Sequence, residues 1–298
     1  AGESYTAGDV VKLYLTPSNR EDFFTFTRML IGQLRQVGKT HTAERYVTVI
    51  NSFGRFRREN ELLWEEVDSD LMVEYETYLK SRGVCPNTSS YYMRGLRAIY
   101  NRAVEKGMTV QREPFKYVYT GIDKTIKRAV PLKVIRQIRD LDLTLFPTMD
   151  FARDIFMFSF YTRGMSFIDM AYLKKKDLQG GTLSYRRQKT GQQLFVKWEK
   201  PMQEIVDKYN TNGTPYLLPI IRDMNADIRR QYKNAAHLVN DKLKKLGEKL
   251  GLTVPLTSYV ARHGWASIAR SRNIPLAIIS EAMGHDSEKT TRIYLASL

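Results

Sequence analysis

Towards the end of this chain a guanidinium, an imidazole and a phenol occur at fixed offsets. Arg262 stands in Ser258-Tyr259-Val260-Ala261-Arg262-His263-Gly264-Trp265-Ala266, His285 follows Met283-Gly284 23 positions later, and Tyr294 closes Thr290-Thr291-Arg292-Ile293-Tyr294 nine further on. Upstream, Lys189 lies in Arg186-Arg187-Gln188-Lys189-Thr190-Gly191. These residue types suit attack on a phosphodiester. Arginine is permanently charged and presents a planar fork to phosphate oxygens, and fixed cations lower a barrier that adds negative charge to the non-bridging oxygens. A phenol, whose pKa is about 10, attacks well only when positioned and relieved of its proton. The leaving oxygen needs a proton, and a lysine on a hairpin can deliver it. The scheme calls for no metal and no cofactor.

Each of these residues also has a plainer reading. Arg262 alone is a surface arginine on a helix, and Tyr294 alone is one of 18 tyrosines. Only the shared register raises them. His263 reads as structural, and His41 and His237 have no comparable context.

The elements that must position these residues follow from periodicity. In the first segment, Asn19 is expected to cap a helix Arg20–Leu34 with an apolar stripe through Phe23, Phe24, Phe26, Met29 and Leu30. Helices are expected at Thr42–Glu59, at Ser69–Arg82 with Gly83 as C-cap, and at Thr88–Lys106. The last of these carries Arg94, Arg97 and Arg102 among Tyr91, Tyr92 and Tyr100. That pattern fits a helix laid across a DNA groove and equally a charged outer face over a tyrosine-lined core.

Periodicity is lost from Met108 to Thr125, and residues 111–128 read as a linker, basic at its end through Lys124, Lys127 and Arg128. Domains are therefore expected at 1–110 and 129–298. In the second, helices are expected at Pro131–Asp140, Asp150–Tyr161, Phe167–Leu173, Pro201–Tyr209, Met224–Leu250, Val260–Ser271 and Pro275–Met283. Thr182–Gln188 and Gln192–Lys197 alternate like strands around Lys189-Thr190-Gly191, a hairpin signal. The fold class is mainly α, with a helical amino-terminal domain and a mixed α+β domain holding a small antiparallel sheet.

Composition limits the partners. The 298 residues carry 47 Lys+Arg against 32 Asp+Glu, a formal net charge of +15. A polyanion accounts for such an excess, since each cation placed on a phosphate releases a counterion; a basic solvated surface accounts for it as well. Cys85 is the single cysteine, so one thiol supports neither a disulfide framework nor a thiolate metal cluster, as in a reducing interior. The first eleven residues lack a signal-peptide pattern, and no apolar run of about 18 residues occurs. The expectation from these features is a soluble, intracellular protein.

The residues from Arg262 to Tyr294, with the Lys189 hairpin, resemble the carboxy-terminal signature of the tyrosine recombinases, the lambda-integrase or phage integrase family found on bacterial mobile elements. The resemblance implies site-specific cutting and rejoining of double-stranded DNA through a phosphotyrosine intermediate, for integration, excision or inversion. It makes Tyr294 the nucleophile, Arg262 a phosphate clamp, His285 a hydrogen-bond donor to the phosphate and Lys189 the general acid. It further implies a SAM-like core-binding domain of four helices that closes with the catalytic domain around DNA, a homo-tetramer on two duplexes and accessory DNA-bending proteins. Four residues follow Tyr294, so the tail that docks on a neighbour in the family is expected to be short.

Two positions depart from the family pattern. Tyr259 stands where the family has the histidine of His-x-x-Arg, and tyrosine is a poor base at neutral pH. The pattern Thr-Gly-x-Arg-x-x-Glu/Asp-Leu meets Thr162-Arg163-Gly164-Met165-Ser166-Phe167-Ile168-Asp169-Met170. Registered on Asp169, it puts Ser166 at the arginine; registered on Thr162, it favours Arg163. The missing cation is then Arg187, two residues before Lys189 and expected on the same strand face, or else Arg163. Two other functions stay open at this level: a type IB topoisomerase acting on one duplex, and a DNA-binding relative that no longer cuts.

Overall fold

The computed structural model describes residues 22–58, 61–123 and 129–295, with backbone alone at 293 and 294. The chain divides into two compact units, Ala1–Thr125 and Ile126–Leu298.

The first unit is helical: α1 (Phe23–Gln36), α2 (Thr40–Arg57), α3 (Ser69–Ser81) and α4 (Pro86–Glu105). The cap of α1 is Asp22, whose Oδ1 accepts from Phe24 N at 2.6 Å and Thr25 N at 2.9 Å. A carboxylate three residues nearer the apolar stripe satisfies the orphan N–H groups directly, and Asn19 lies outside the described residues. Phe23 packs edge-on to Phe53 and Trp64, and Phe53 edge-on to Tyr75. Each such buried aromatic contributes on the order of 2–3 kcal/mol. The Tyr75 hydroxyl bonds Ser52 Oγ at 2.8 Å, so its polar end is satisfied inside the core.

The stretch from 111 to 123, expected as linker, is laid onto this unit. Phe115 and Val118 join its core. Glu76 accepts from Tyr119 N at 2.7 Å, Ser90 Oγ donates to Gly121 O at 2.6 Å, and Asn87 Oδ1 accepts from Asp123 N at 2.8 Å. Side-chain bonds to irregular backbone fix the segment, and these leave no periodicity to read.

The second unit holds α5 (Leu132–Arg139), α6 (Pro147–Tyr161), α7 (Phe167–Tyr172), β1 (Leu178–Gln179), β2 (Thr182–Arg186), β3 (Gln193–Lys197), α8 (Lys200–Asp207), α9 (Ile228–Lys249), α10 (Ser258–Ser271), α11 (Leu276–Ala282) and α12 (Glu288–Tyr294). The sheet is antiparallel in the order β1-β2-β3. Leu183 pairs with Val196 and Tyr185 with Leu194 on its buried face. Helix α6 is central, packing against α9 and α10 through a core that includes Ile155, Phe156, Phe158, Val239, Leu243 and Leu246. Helix α9 starts at Ile228 rather than Met224, because Asp227 caps it while Gln231 Oε1 holds Arg222 N and Asp223 N in a turn. Strand β1 and helix α12 were not anticipated.

Candidate active site

Two helices end in the same turn, and the turns supply the floor of the site. At the end of α6, Arg163 N bonds Phe160 O and Gly164 N bonds Ser159 O. At the end of α11, Gly284 N bonds Glu281 O and His285 N bonds Ser280 O. This double bond pattern is the Schellman motif, which needs a left-handed residue just past the helix. Gly284 fills that position with φ 63°, and a Cβ there would come within 2.5 Å of Arg187 Cδ. Gly-His is thus a physical unit: the glycine turns the chain, and the next residue is aimed back over the helix end.

Arg262 lies on the first turns of α10, 3% exposed. Its Nη1 donates to Gly164 O at 2.6 Å and its Nη2 to Met283 O at 2.7 Å. Nη2 also stands 2.8 Å from His285 Nε2, and His285 Nδ1 stands 2.8 Å from Thr291 Oγ1 on α12. Arg187 is buried and donates through Nη1 to Gly284 O; its Nε is 3.8 Å from Asp169 Oδ2. Asp169, itself buried, accepts from Ser166 Oγ at 2.6 Å and from the backbone N–H of Gln188 at 2.8 Å.

The structure therefore gathers Arg262, His285, Arg187 and the base of the Lys189 turn. It corrects the expected strand face, since β2 ends at Arg186. Arg187 N still bonds Gln192 O, Gly191 N bonds Arg187 O, and Gln188–Gly191 form a turn. Arg187 points inward, whereas Lys189 is exposed on the turn. Burial, then the charges of Arg262, Arg187 and Lys189, push the His285 pKa down to about 4. All three cations lie within electrostatic reach of one ring.

Arg163 is directed elsewhere. It takes the left-handed position at the end of α6, φ 60°, and its Nη1 donates to Phe195 O at 3.2 Å. The register on Asp169 places Gly164 at the pattern's glycine, where φ is 75° and a Cβ would lie 2.8 Å from Arg262 Cα. Ser166 then occupies the arginine's position, and it caps α7. Tyr259 is 49% exposed, with its ring edge-on to His263 at 5.0 Å. Helix α12 packs against α10 and α11 and ends at Tyr294, one turn beyond Thr291.

In the first unit Arg97 and Arg102 are exposed on α4, while Arg94 is half-buried with its Nε 3.4 Å from Ser90 O. Tyr100 is buried, and Tyr91 and Tyr92 pack on the core. The basic residues Lys124, Lys127 and Arg128 lie outside the described residues.

Sequence reasoning used Asp169 only for register and passed over Thr291. The signal for Asp169 was its place three residues after the capping Ser166. For Thr291 only the spacing to Tyr294 was visible, and its partner is six residues earlier across a turn.

The profile of the phage integrase family matches residues 147–298, and that of the phage integrase SAM-like domain matches residues 22–122. Similar sequences include Tyrosine recombinase XerA of Pyrococcus horikoshii, 23% identical over 263 residues, 77% of this chain and 90% of the relative. Tyrosine recombinase XerC of Syntrophus aciditrophicus is 25% identical over 282 residues, 86% of this chain and 87% of the relative. The fold is that of a lambda integrase tetramer bound to a Holliday junction (TM-score 0.71, 13% identity, 99% of this chain and 82% of that one). It is also that of the Tn1549 transposon integrase in complex with transposon right end DNA (TM-score 0.63, 14% identity, 93% and 95%).

Proposed function

The chain is a tyrosine recombinase of the phage integrase family, and from that premise we propose how its own residues cut and rejoin DNA. One observation carries the proposal: two buried guanidiniums, Arg262 and Arg187, are pinned by the carbonyls of Gly164, Met283 and Gly284 around His285. Carbonyl dipoles orient a guanidinium without cancelling its charge. Among the described residues the carboxylate facing Arg187 is Asp169, at 3.8 Å, and the buried Arg187 Nε has no hydrogen-bond partner, so a surplus of positive charge is left at this guanidinium under partial desolvation. Such a surplus is costly unless an anion completes it. A phosphodiester has the charge and the planar oxygen pairs to do so.

In this reading Tyr294 Oη gives its phenolic proton to solvent and forms a bond to the scissile phosphorus, the bond from phosphorus to the 5′-oxygen breaks, and that oxygen leaves with a proton from Lys189. Arg262 and Arg187 stabilise the charge that develops on the non-bridging oxygens, and His285 hydrogen-bonds the same phosphate. Arg187 replaces the family's first arginine; the direction of Arg163 towards Phe195 O speaks against it. Tyr259 stands in the place of the family histidine as a hydrogen-bonding group. Energy is retained in the 3′-phosphotyrosine, so the free 5′-hydroxyl of a second strand rejoins without an added nucleotide. Arg94, Arg97 and Arg102, with Lys124, Lys127 and Arg128, contact the duplex backbone. The working assembly is a homo-tetramer on two specific sites, as for the lambda integrase tetramer on its junction.

The test is covalent capture. Genomic fragments that carry a nick are incubated with the protein, and a denaturation-resistant adduct is sought beside Tyr294→Phe. An adduct lost in the variant supports the reading. A folded, DNA-binding protein that yields no adduct, or an adduct kept in the variant, overturns Tyr294 as nucleophile and favours a relative that binds without cutting.

A further inference from the structure

The hydrogen bond between His285 and Thr291 joins two parts of the reaction that the proposed function treats separately. A guanidinium can only donate. His285 Nε2, 2.8 Å from Arg262 Nη2, therefore accepts, and the proton of the neutral ring sits on Nδ1. The low pKa of His285, about 4, agrees with a neutral ring. Nδ1–H then points at Thr291 Oγ1 at 2.8 Å, and Thr291 is wholly buried.

Thr291 is also one turn before Tyr294 on α12, a helix of seven residues. A helix so short has little stability of its own, so its placement depends on what its residues touch. Ser287 caps its start, and Thr291 bonds the ring next to Arg262. The bond thus ties the nucleophile's helix to the phosphate-binding cluster.

A hydroxyl suits this position for a second reason. A phosphate entering between Arg262 and His285 takes over the N–H that Nε2 now accepts, and Nε2 must then donate. The ring does so by moving its proton from Nδ1 to Nε2 or by gaining one. Threonine accepts from Nδ1–H in the resting ring and in the doubly protonated one, and, after rotation about its C–O bond, donates to bare Nδ1 in the shifted neutral tautomer. The link survives the change.

We propose that Thr291 is a positioning residue of the cleavage reaction: its hydroxyl holds the His285 ring and, through that ring, seats the helix that carries Tyr294. This rests on the reading of Tyr294 as nucleophile. The test uses Thr291→Val, which keeps shape and removes the hydroxyl, and Thr291→Ser, which keeps the hydroxyl. Single-turnover adduct formation is expected to slow about 10- to 100-fold in Thr291→Val with DNA affinity unchanged, the range that small misplacements of a reacting group produce. Thr291→Ser is expected to recover to within roughly 3-fold of the parent on the same scale.

A second readout needs no DNA. The ring Nδ1–H of His285 is expected to give a slowly exchanging proton resonance in the parent and in Thr291→Ser, and to lose it in Thr291→Val. In a His285→Gln background, Thr291→Val is expected to cost less than about 2-fold, because the path through the ring is already cut. Parental cleavage by Thr291→Val, equal losses in Val and Ser variants, or additive losses with His285→Gln would overturn the proposal. Absence of any adduct from the parent protein would sink the nucleophile reading, and the ring-proton comparison would still judge the Thr291 link. If Thr291→Val fails to fold, the Ser variant and the parent ring proton decide: a ring proton in fast exchange in both overturns the link.

Discussion

Asp169 Oδ1 accepts the backbone N–H of Gln188 at 2.8 Å, so the residue before Lys189 is anchored to the first turn of α7. The same carboxylate takes the Ser166 hydroxyl and lies near Arg187. One buried anion thereby sets the base of the lysine turn and offsets part of the arginine's charge. Asp169→Ala removes both, and should destabilise the protein by about 2–4 kcal/mol, since it strips a buried cation of its partner. Asp169→Asn keeps an oxygen for Gln188 N and should be milder. Limited trypsin digestion checks the anchor: the Ala variant should be nicked at Lys189 faster than the Asn variant, at equal folded fraction. Equal nicking would mean that the turn is held by β2 and β3 alone.

His285 predicts a pH dependence of stability. Its folded-state pKa lies near 4 and its unfolded value near 6.5. Above about pH 6.5 the ring is neutral in both states and contributes nothing. As the pH falls from 6.5 towards 4, the unfolded chain takes up the proton and the folded chain does not, so stability is lost across that window. The loss should reach on the order of 2–3 kcal/mol by pH 4. Urea denaturation at steps from pH 7.5 to pH 4 should show a slope that His285→Gln flattens. An unchanged slope in the variant would assign the acid sensitivity to other groups.

How much of this was legible in the sequence depends on the kind of force that places each element. The helices of the first unit follow their apolar stripes: Phe23, Phe24 and Phe26, or Leu71, Met72, Tyr75 and Leu79, are buried as their spacing requires. The Lys189 hairpin was visible from alternation and a Gly turn. What escaped was held by individual side-chain contacts, which leave no periodicity in the sequence. Residues 111–123 are fixed by Glu76, Ser90 and Asn87, and α12 by Thr291 on His285. Arg187 keeps the buried face of Leu183 and Tyr185, as alternation requires, but Lys189 does not share it, because β2 ends at Arg186 and the lysine stands exposed on the turn. The Gly-His pair was recognised by its spacing alone; its reason, a left-handed residue closing α11, needed the backbone.

The two candidate arginines separate in a direct comparison. Arg187 is buried beside Gly284 and His285, so Arg187→Ala should lower adduct formation about 100- to 1,000-fold, the usual effect of removing one fixed charge-stabilising group. Arg163 occupies a left-handed position that a glycine adopts without strain. Arg163→Gly should leave cleavage within about 3-fold of the parent. It should raise stability by roughly 0.5–1 kcal/mol where relief of the backbone outweighs the lost bond to Phe195 O. Single-turnover cleavage and thermal melts of both variants decide it. A large catalytic loss in Arg163→Gly with Arg187→Ala active would return the missing cation to Arg163.

Gly284 carries the last prediction, because two independent constraints meet there. Its φ of 63° closes the Schellman turn, and a Cβ would lie 2.5 Å from Arg187 Cδ and 2.9 Å from Leu194 Cδ1. Backbone strain for a residue with a Cβ costs about 1 kcal/mol in this region. The steric part has to be met by moving Arg187, whose Nη1 is bonded to Gly284 O. Gly284→Ala should therefore lower stability by about 1–3 kcal/mol and slow cleavage more than that loss explains at temperatures where the variant is fully folded. Gly191→Ala is the control, since Gly191 has φ 72° and open space around the added methyl. It should show the strain without the displacement: a smaller loss of stability and near-parental cleavage. Similar cleavage defects in both would mean that the Gly284 effect is backbone strain, and that Arg187 has room to move without consequence for the phosphate site.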